Sequence, residues 1–437
     1  MIKEQGEDCL AGVDEVNWAG LFHAYGSAQD VPGQLRSVCG DDEVARKAAL
    51  SKLFSNIFHQ GTRYSASPHA VPFLARIAVA GPRTARVGTL WLLTRLAVDW
   101  HDEYTLPHGI DTVAWRAVAA ENSQEQFLAW YDEELATEQD PDRRSRLEEG
   151  RTYCAEGGFI DSRAGGLASY DAVRAELPSL TCLLDDPDPE VRTRTAYLLA
   201  WFPEEGRWIA PLLLARLEHE PDSRTAATAL VAVGLVCDHA LARDLRPWLD
   251  NPHPLLRWAA ATALARLTTD VHAADAGLND DGKLVEQIIA VLTEAAAGQV
   301  PAPGTEFNEG NLHGYTARTL ITLIPHAPDT VLAGITDAFG GTPNRQIAGL
   351  ARPVVLAAFP DAVDHTLTSF TELGAGQQRI LRVLAENGPW KHYGEKFELA
   401  LRERGLPDTQ PALCTYTDTT AAGRITDPND PWDGWDE

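Results

Sequence analysis

The sequence predicts an all-α protein: an α-solenoid, a superhelix of stacked helical hairpins, with about twenty helices in 437 residues. Three observations predict it. One motif recurs at a near-constant interval, apolar residues elsewhere recur at helical spacing, and β-branched runs with period-two alternation are absent.

The recurring motif is anchored by Pro189, Pro221 and Pro254, separated by 32 and 33 residues. Three positions after each proline stands an arginine: Arg192, Arg224 and Arg257. Then come small residues (Thr195-Ala196, Ala227-Thr228, Ala260-Ala261) and aliphatics (Leu199, Val231, Leu264). An acid, Asp185, Glu218 or Asp250, precedes each proline by three or four positions. Proline suits the first turn of a helix, where its missing N–H costs nothing. The small pair admits a neighbouring helix and the aliphatics form a buried stripe. A single hairpin cannot bury that stripe alone, so hairpins stack and share a core.

The other elements follow in order. Amphipathic helices are expected over Asp41–Phe58, Pro68–Ala80, Arg83–Val98 and Asp111–Ala136, with Arg86 after Pro82 as an approximate earlier copy of the motif. The charge-dense stretch Asp140–Glu156 reads as an exposed helix or insertion, and Gly157–Gly166 as a loop. Longer connections fall at Val271–Asp281 and Gly298–Asn311, where glycine, asparagine and proline accumulate. Helices resume at Ala317–Ile324, Gln346–Ala358, Asp364–Leu373 and Gln377–Ala385. Five segments result. Residues 1–80 are an amino-terminal helical cap with the first repeats, and 81–177 are irregular repeats with the charged insertion. Residues 178–270 are the regular repeats, 271–414 divergent ones, and 415–437 an acidic tail carrying Trp432 and Trp435, with the composition of disorder.

Lysine and arginine number 37 against 63 acids, a formal charge of −26. Nucleic acids and anionic membranes need a basic footprint, so this balance argues against both as partners. The first fifteen residues carry no basic-then-apolar signal pattern and no window is apolar enough to span a bilayer, so a cytoplasmic location is expected. The six cysteines lie far apart without CxxC pairs, which argues against a disulfide framework or structural zinc. Cys182 and Cys237 fall on apolar helical faces and read as buried thiols.

The stretch DDPDPEVRTRTAYLLAWFPEE, Asp185–Glu205, resembles a HEAT-like repeat of the type first described in phycobilin lyases. The likeness rests on the DPxxxVRxxxAxxL core and covers about residues 178–270. HAYGSAQDVPGQL (His23–Leu35) and NIFHQGTRYSASPHAVPFL (Asn56–Leu74) are similar to a pattern in bacterial HEAT-repeat proteins, a group largely without assigned activity. The resemblance implies a fold; it implies no chromophore chemistry.

The most site-like stretch is His59-Gln60-Gly61-Thr62-Arg63-Tyr64. It follows an apolar helix, passes a glycine suited to a C-cap, and enters Ser67-Pro68, a good N-cap and N1 pair. Tyr25, His59, Gln60, Arg63 and Tyr64, with Asp30, are the candidate binding residues; the competing reading is a polar clamp satisfying helix ends. Arg192, Arg224 and Arg257 read as a structural ladder, each pairing with an acid at an inter-repeat turn such as Asp188, Asp222 or Asp250. The alternative is a groove for an acidic ligand. Two polar loops, His101-Asp102-Glu103 with His108 and Asp111, and Glu306 to His313, read as ordinary connections rather than metal sites. Trp201, Trp208, Trp248 and Trp258 suit packing as well as base stacking.

No catalytic residue, metal site or cofactor is predicted. GxSxG, GxxxxGK[ST] and GxGxxG are absent, and 63 acids give no means of selecting a catalytic pair. The function expected is therefore a protein-interaction scaffold. Its acidic solenoid would attract a basic protein partner, for instance a toxin domain neutralised by a cytoplasmic immunity protein or antitoxin. Two alternatives are an enzyme acting on nucleic acid in the manner of HEAT-like DNA glycosylases, and a small-molecule or peptide binder at the amino-terminal cap. The glycosylase reading needs the clusters Arg83, Arg86, Arg95 and Arg143, Arg144, Arg146, Arg151 to line one groove.

Overall fold

A computed structural model describes residues 9–100, 105–121, 124–155, 162–237, 239–269, 282–299, 304–360, 369–390 and 394–420. Among them the chain is mostly α-helical, with two minimal β-hairpins. It divides into two compact units: residues 1–102 with 109–209, and residues 103–108 with 210–437.

In the first unit, α1 (Val31–Cys39), α2 (Glu43–Ile57), α3 (Ala66–Ala80) and α4 (Arg83–Val98) lead to α5 (Thr112–Glu121), α6 (Gln124–Thr137) and α7 (Pro141–Ala155). Then come α8 (Ser162–Leu180), α9 (Pro189–Leu199) and the start of α10 (Gly206–Leu217). The packing forms two rows. Helices α1, α3 and α8 make one and α2, α4 and α9 the other, so hairpin α3–α4 stacks on hairpin α8–α9 although about sixty residues separate them in sequence. The intervening chain is an insertion whose helices α6 and α7 pack chiefly on each other. No side chain of α6 is buried, and only Leu147 and Cys154 are buried in α7.

The second unit carries the end of α10 and then α11 (Ser223–Val236), α12 (Pro254–Thr269), α13 (Gly282–Glu294), α14 (Leu312–Leu323) and α15 (Pro328–Phe339). Helices α16 (Asn344–Ala358), α17 (Ala375–Asn387), α18 (Glu395–Glu403) and α19 (Gln410–Thr417) complete it. Here too there are two rows: α11, α12, α14, α16 and α18 in one, α13, α15, α17 and α19 in the other. Helices α11 and α12 approach closely through small residues. A Cβ added at Gly234 would lie 2.4 Å from the Ala263 Cβ and 2.6 Å from its Cα, so only glycine fits.

Several local expectations are corrected. Within the expected Asp111–Ala136, Thr112–Glu121 and Gln124–Thr137 are helical, and residues 122–123 lie outside the described residues. Pro189 and Pro254 open their helices as expected, but Pro221 lies outside α11, whose N-cap is Asp222. Ser67 is not an N-cap: α3 begins at Ala66, and the Ser67 hydroxyl donates to the Ile57 carbonyl at 2.6 Å. Gly61 belongs to a β-turn rather than a helix C-cap. Helix α14 starts five residues before the expected Ala317. Cys237 is buried, but Cys182 is exposed because Thr181–Asp185 is a 3-10 turn rather than an apolar helical face. Val271–Asp281, residues 364–368 of the expected Asp364–Leu373 helix, and Trp432 and Trp435 of the tail lie outside the described residues, and Phe370–Glu372 is a 3-10 turn.

Trp201 and Trp258 are fully buried and Trp208 and Trp248 half-buried, so all four contribute to packing. No helix among the described residues is long and apolar enough to cross a membrane.

Candidate functional site

The candidate binding residues gather around two short hairpins in the first unit. β1 (Phe22–His23) pairs with β2 (Gly26–Ser27), and β3 (Phe58–His59) with β4 (Thr62–Arg63). The second hairpin has a two-residue loop, Gln60-Gly61, with both φ positive at 49° and 85°. That is the geometry whose twist matches paired strands, and it explains why glycine follows Gln60. The hairpins are tied together: the Ala24 N–H donates to the Asn56 carbonyl at 2.9 Å and the Phe22 N–H to the Ser65 hydroxyl at 2.8 Å.

The structure separates the five residues into two roles. Tyr25 is 67% exposed at the tip of the first hairpin, its ring edge-on to His59 at 5.5 Å between centroids and its hydroxyl 3.5 Å from His59 Nδ1. Gln60 is exposed and Tyr64 half-buried. Arg63 differs: it is 3% exposed, and its guanidinium turns inward. It pairs with the Asp99 carboxylate at 3.1 Å and donates to the Gly61 carbonyl at 2.8 Å. A Cβ built at Gly166 of α8 would lie against this guanidinium, so the cation sits on helix backbone rather than in open solvent. Burial holds the Arg63 pKa below the usual arginine value, against the opposing pull of Asp99. Asp99 itself has φ 62° and ψ −144°, a backbone region that is essentially glycine's alone. The Arg63 part of the motif is thus a clamp, and the exposed surface belongs to Tyr25, His59, Gln60 and Tyr64.

Beside Tyr25 an open cavity of about 680 Å³ is lined by His23, Asp30, Ser51, Lys52 and Asn56 among others. His23 is buried, and its Nδ1 accepts the Tyr25 N–H at 3.0 Å. The ring proton therefore sits on Nε2 and points to Asp30 Oδ1 at 2.9 Å. The other Asp30 oxygen accepts from Gln34 Nε2 at 2.7 Å and Asn56 Nδ2 at 3.3 Å, with Lys52 Nζ at 3.4 Å. Burial alone would raise the Asp30 pKa; the His23 hydrogen bond, with Lys52, outweighs it and keeps it below the usual aspartate value. Both His23 nitrogens and both Asp30 oxygens are thereby engaged, and the Ser65 and Ser67 hydroxyls accept backbone N–H groups.

The arginine ladder binds the protein's own turns. Arg192 Nη1 donates to the Asp186 carbonyl six residues earlier at 2.8 Å, and Arg257 Nη1 to the Asn251 carbonyl, also six earlier, at 3.1 Å. Arg257 also pairs with Glu294 at 3.1 Å, and Arg224 with Glu306. The expected partners Asp188 and Asp222 instead cap helices, accepting from the Glu190 and Thr225 N–H groups, and Asp250 accepts from Gln287. One oxygen of an N-cap carboxylate serves backbone donors, and the other Asp188 oxygen faces Arg83 rather than Arg192. One rung escaped the sequence reading. Arg46 of α2 donates to the Gly40 carbonyl six residues earlier at 2.7 Å and to Thr84 at the start of α4. The signal was there in Asp42, four residues before Arg46, as Asp188 is before Arg192.

The two polar loops also resolve into structural contacts where they are described. Asn311 caps α14, accepting the Gly314 N–H at 2.6 Å, and Asn308 Nδ2 donates to the Asn311 carbonyl and to Gln346. His101, Asp102 and Glu103 lie outside the described residues. Among those described, no three His, Cys, Asp or Glu side chains are placed to hold a metal ion.

No family model matches the chain, and no curated protein matches it. Among solved structures, an engineered protein in crystal form is similar over 92% of this chain and 94% of its own, at 17% identity and a TM-score of 0.28.

Proposed function

We propose that the chain is a protein-interaction scaffold that docks a basic protein partner, and that each unit is a stretch of HEAT-like α-solenoid. The two-row helix packing within each unit supports the solenoid reading, because stacked hairpins bury one continuous stripe. The observation that carries the functional reading is the fate of the arginines. Arg83 and Arg86 pair with Asp188 and Asp186, Arg143 with Glu134 and Glu138, and Arg151 with Asp132. Arg144 donates to the Leu135 and Glu138 carbonyls, and Arg95 donates to the Asp99 carbonyl while lying 4.5 Å over the Trp100 ring.

The clusters that a glycosylase-like groove would use are therefore largely neutralised within the fold. With acids in excess by 26, one-to-one pairing leaves at least that many carboxylates without a cation. Such a surface steers cationic partners inward and repels polyanions. A cytoplasmic immunity protein or antitoxin holding a basic toxin domain is a concrete form of this role.

Capture from native lysate on the immobilised chain tests it. Proteins retained at low ionic strength are expected to have basic isoelectric points and to be released by high salt, which shortens the screening length to about 3 Å at 1 M. Retention of acidic proteins, or of nothing, contradicts the proposal.

A further inference from the structure

We infer that Tyr25, Tyr64 and Tyr153 form the seat for one lysine or arginine side chain of the basic partner. This rests on the reading of the chain as a docking protein for a basic partner, and it names where the partner's cation goes.

The three rings come from three distant parts of the sequence. Tyr25 stands at the tip of the first hairpin, Tyr64 follows β4, and Tyr153 lies near the end of α7 in the insertion. The fold brings them to one surface. The Tyr153 ring meets Phe22 of β1 edge-on, 6.4 Å between centroids, and the Phe22 N–H bonds Ser65, the neighbour of Tyr64. Burial raises the Tyr64 pKa first, and the phenols of Tyr153 and Tyr25 raise it further. Tyr25 and Tyr153 are 67% and 46% exposed, among the few large hydrophobic side chains left in water. Aromatic side chains in the open mark interaction surfaces, since a ring contributes stability mainly when covered.

The choice of a cation as occupant comes from charge. Aromatic faces are electron-rich and attract ammonium and guanidinium groups within about 6 Å. The insertion that supplies Tyr153 holds nine acids against four arginines between Gln124 and Ala155, a net −5. Three of those arginines, Arg143, Arg144 and Arg151, are already bound within the insertion. Lys52, on the nearby cavity wall, is held at Asp30. A cationic side chain approaching the tyrosines therefore meets aromatic rings beside an acidic helical arm. The insertion interrupts the hairpin stack and adds little to the core, and this role gives it a function.

Fluorescence anisotropy with the whole chain tests the inference. The probes are a short labelled Gly-Arg repeat peptide and its citrulline counterpart, which keeps shape but not charge, at about 0.15 M salt. The native chain is expected to bind the arginine peptide and not the citrulline peptide. Tyr25→Leu combined with Tyr153→Leu is expected to weaken binding roughly tenfold, while the corresponding Phe pair binds as the native chain does. Both positions are exposed, so the variants should melt with the native protein; each single Leu variant offers the same comparison if the pair does not. Equal binding by native and Leu-pair chains overturns the tyrosine seat and leaves the docking reading standing. Absence of arginine-peptide binding by the native chain overturns the docking reading itself.

Discussion

Replacing Arg63 with alanine is expected to destabilise the first unit by about 3–5 kcal/mol, seen as an early shift in the urea unfolding curve of the whole chain. The cost arises because the guanidinium is nearly fully buried against Asp99, Gly61 and α8. Removing it leaves the buried Asp99 carboxylate without that cation, and the desolvation already incurred on folding goes uncompensated. Asp99 also occupies a glycine-like backbone region, and the ion pair helps to hold it there. Adding Asp99→Gly to Arg63→Ala removes the charge and relieves that backbone, so the double variant is expected to be more stable than Arg63→Ala alone. An Arg63→Ala variant within about 1 kcal/mol of native would mean that the clamp is a surface ion pair in energetic terms.

Trp258→Ala is expected to cost a similar amount, about 3–5 kcal/mol, in the second unit. The indole is fully buried, packs edge-on against Tyr315 at 5.6 Å and donates from Nε1 to the Thr316 hydroxyl at 2.8 Å. It therefore links α12 to α14, two successive helices of one row. Trp258→Phe fills most of the space and loses one hydrogen bond, so about 0.5–1.5 kcal/mol is expected. The Thr316 hydroxyl still donates to the Leu312 carbonyl, which keeps that second loss small. A Phe variant as damaged as the Ala variant would show that the hydrogen bond, not ring volume, joins the two helices.

What could be read from the sequence follows from the range of the interactions involved. The helix α4 matches the expected Arg83–Val98 because its start and apolar spacing are local properties. The repeat around Pro189, Pro221 and Pro254 was legible for the same reason, but its register was not uniform: Asp222 captures the N-cap of α11 and moves Pro221 outside. The stacking of α3–α4 on α8–α9 across the insertion depends on contacts between distant residues, which no local pattern encodes. At the candidate site, the cluster His59 to Tyr64 was visible as polar residues around a glycine. The hairpin geometry was missed because a Gln-Gly turn flanked by only two paired residues on each side lacks strand periodicity. Arg63 looked like a ligand-binding group because its partner, Asp99, lies beyond two helices in sequence. Tyr153 sits in a charge-dense helix with no local signal of a site, and the long-range contact with Phe22 connects it to one.

The measurement that bears most directly on the central claim is a side-by-side titration of the whole chain with a labelled duplex DNA and a labelled arginine-rich peptide at about 0.15 M salt. Internal neutralisation of the arginine clusters, together with a formal charge of −26, predicts saturable peptide binding and no detectable DNA binding. Saturable DNA binding with no affinity for the peptide would contradict the account and return the arginine clusters to the role of a nucleic-acid groove.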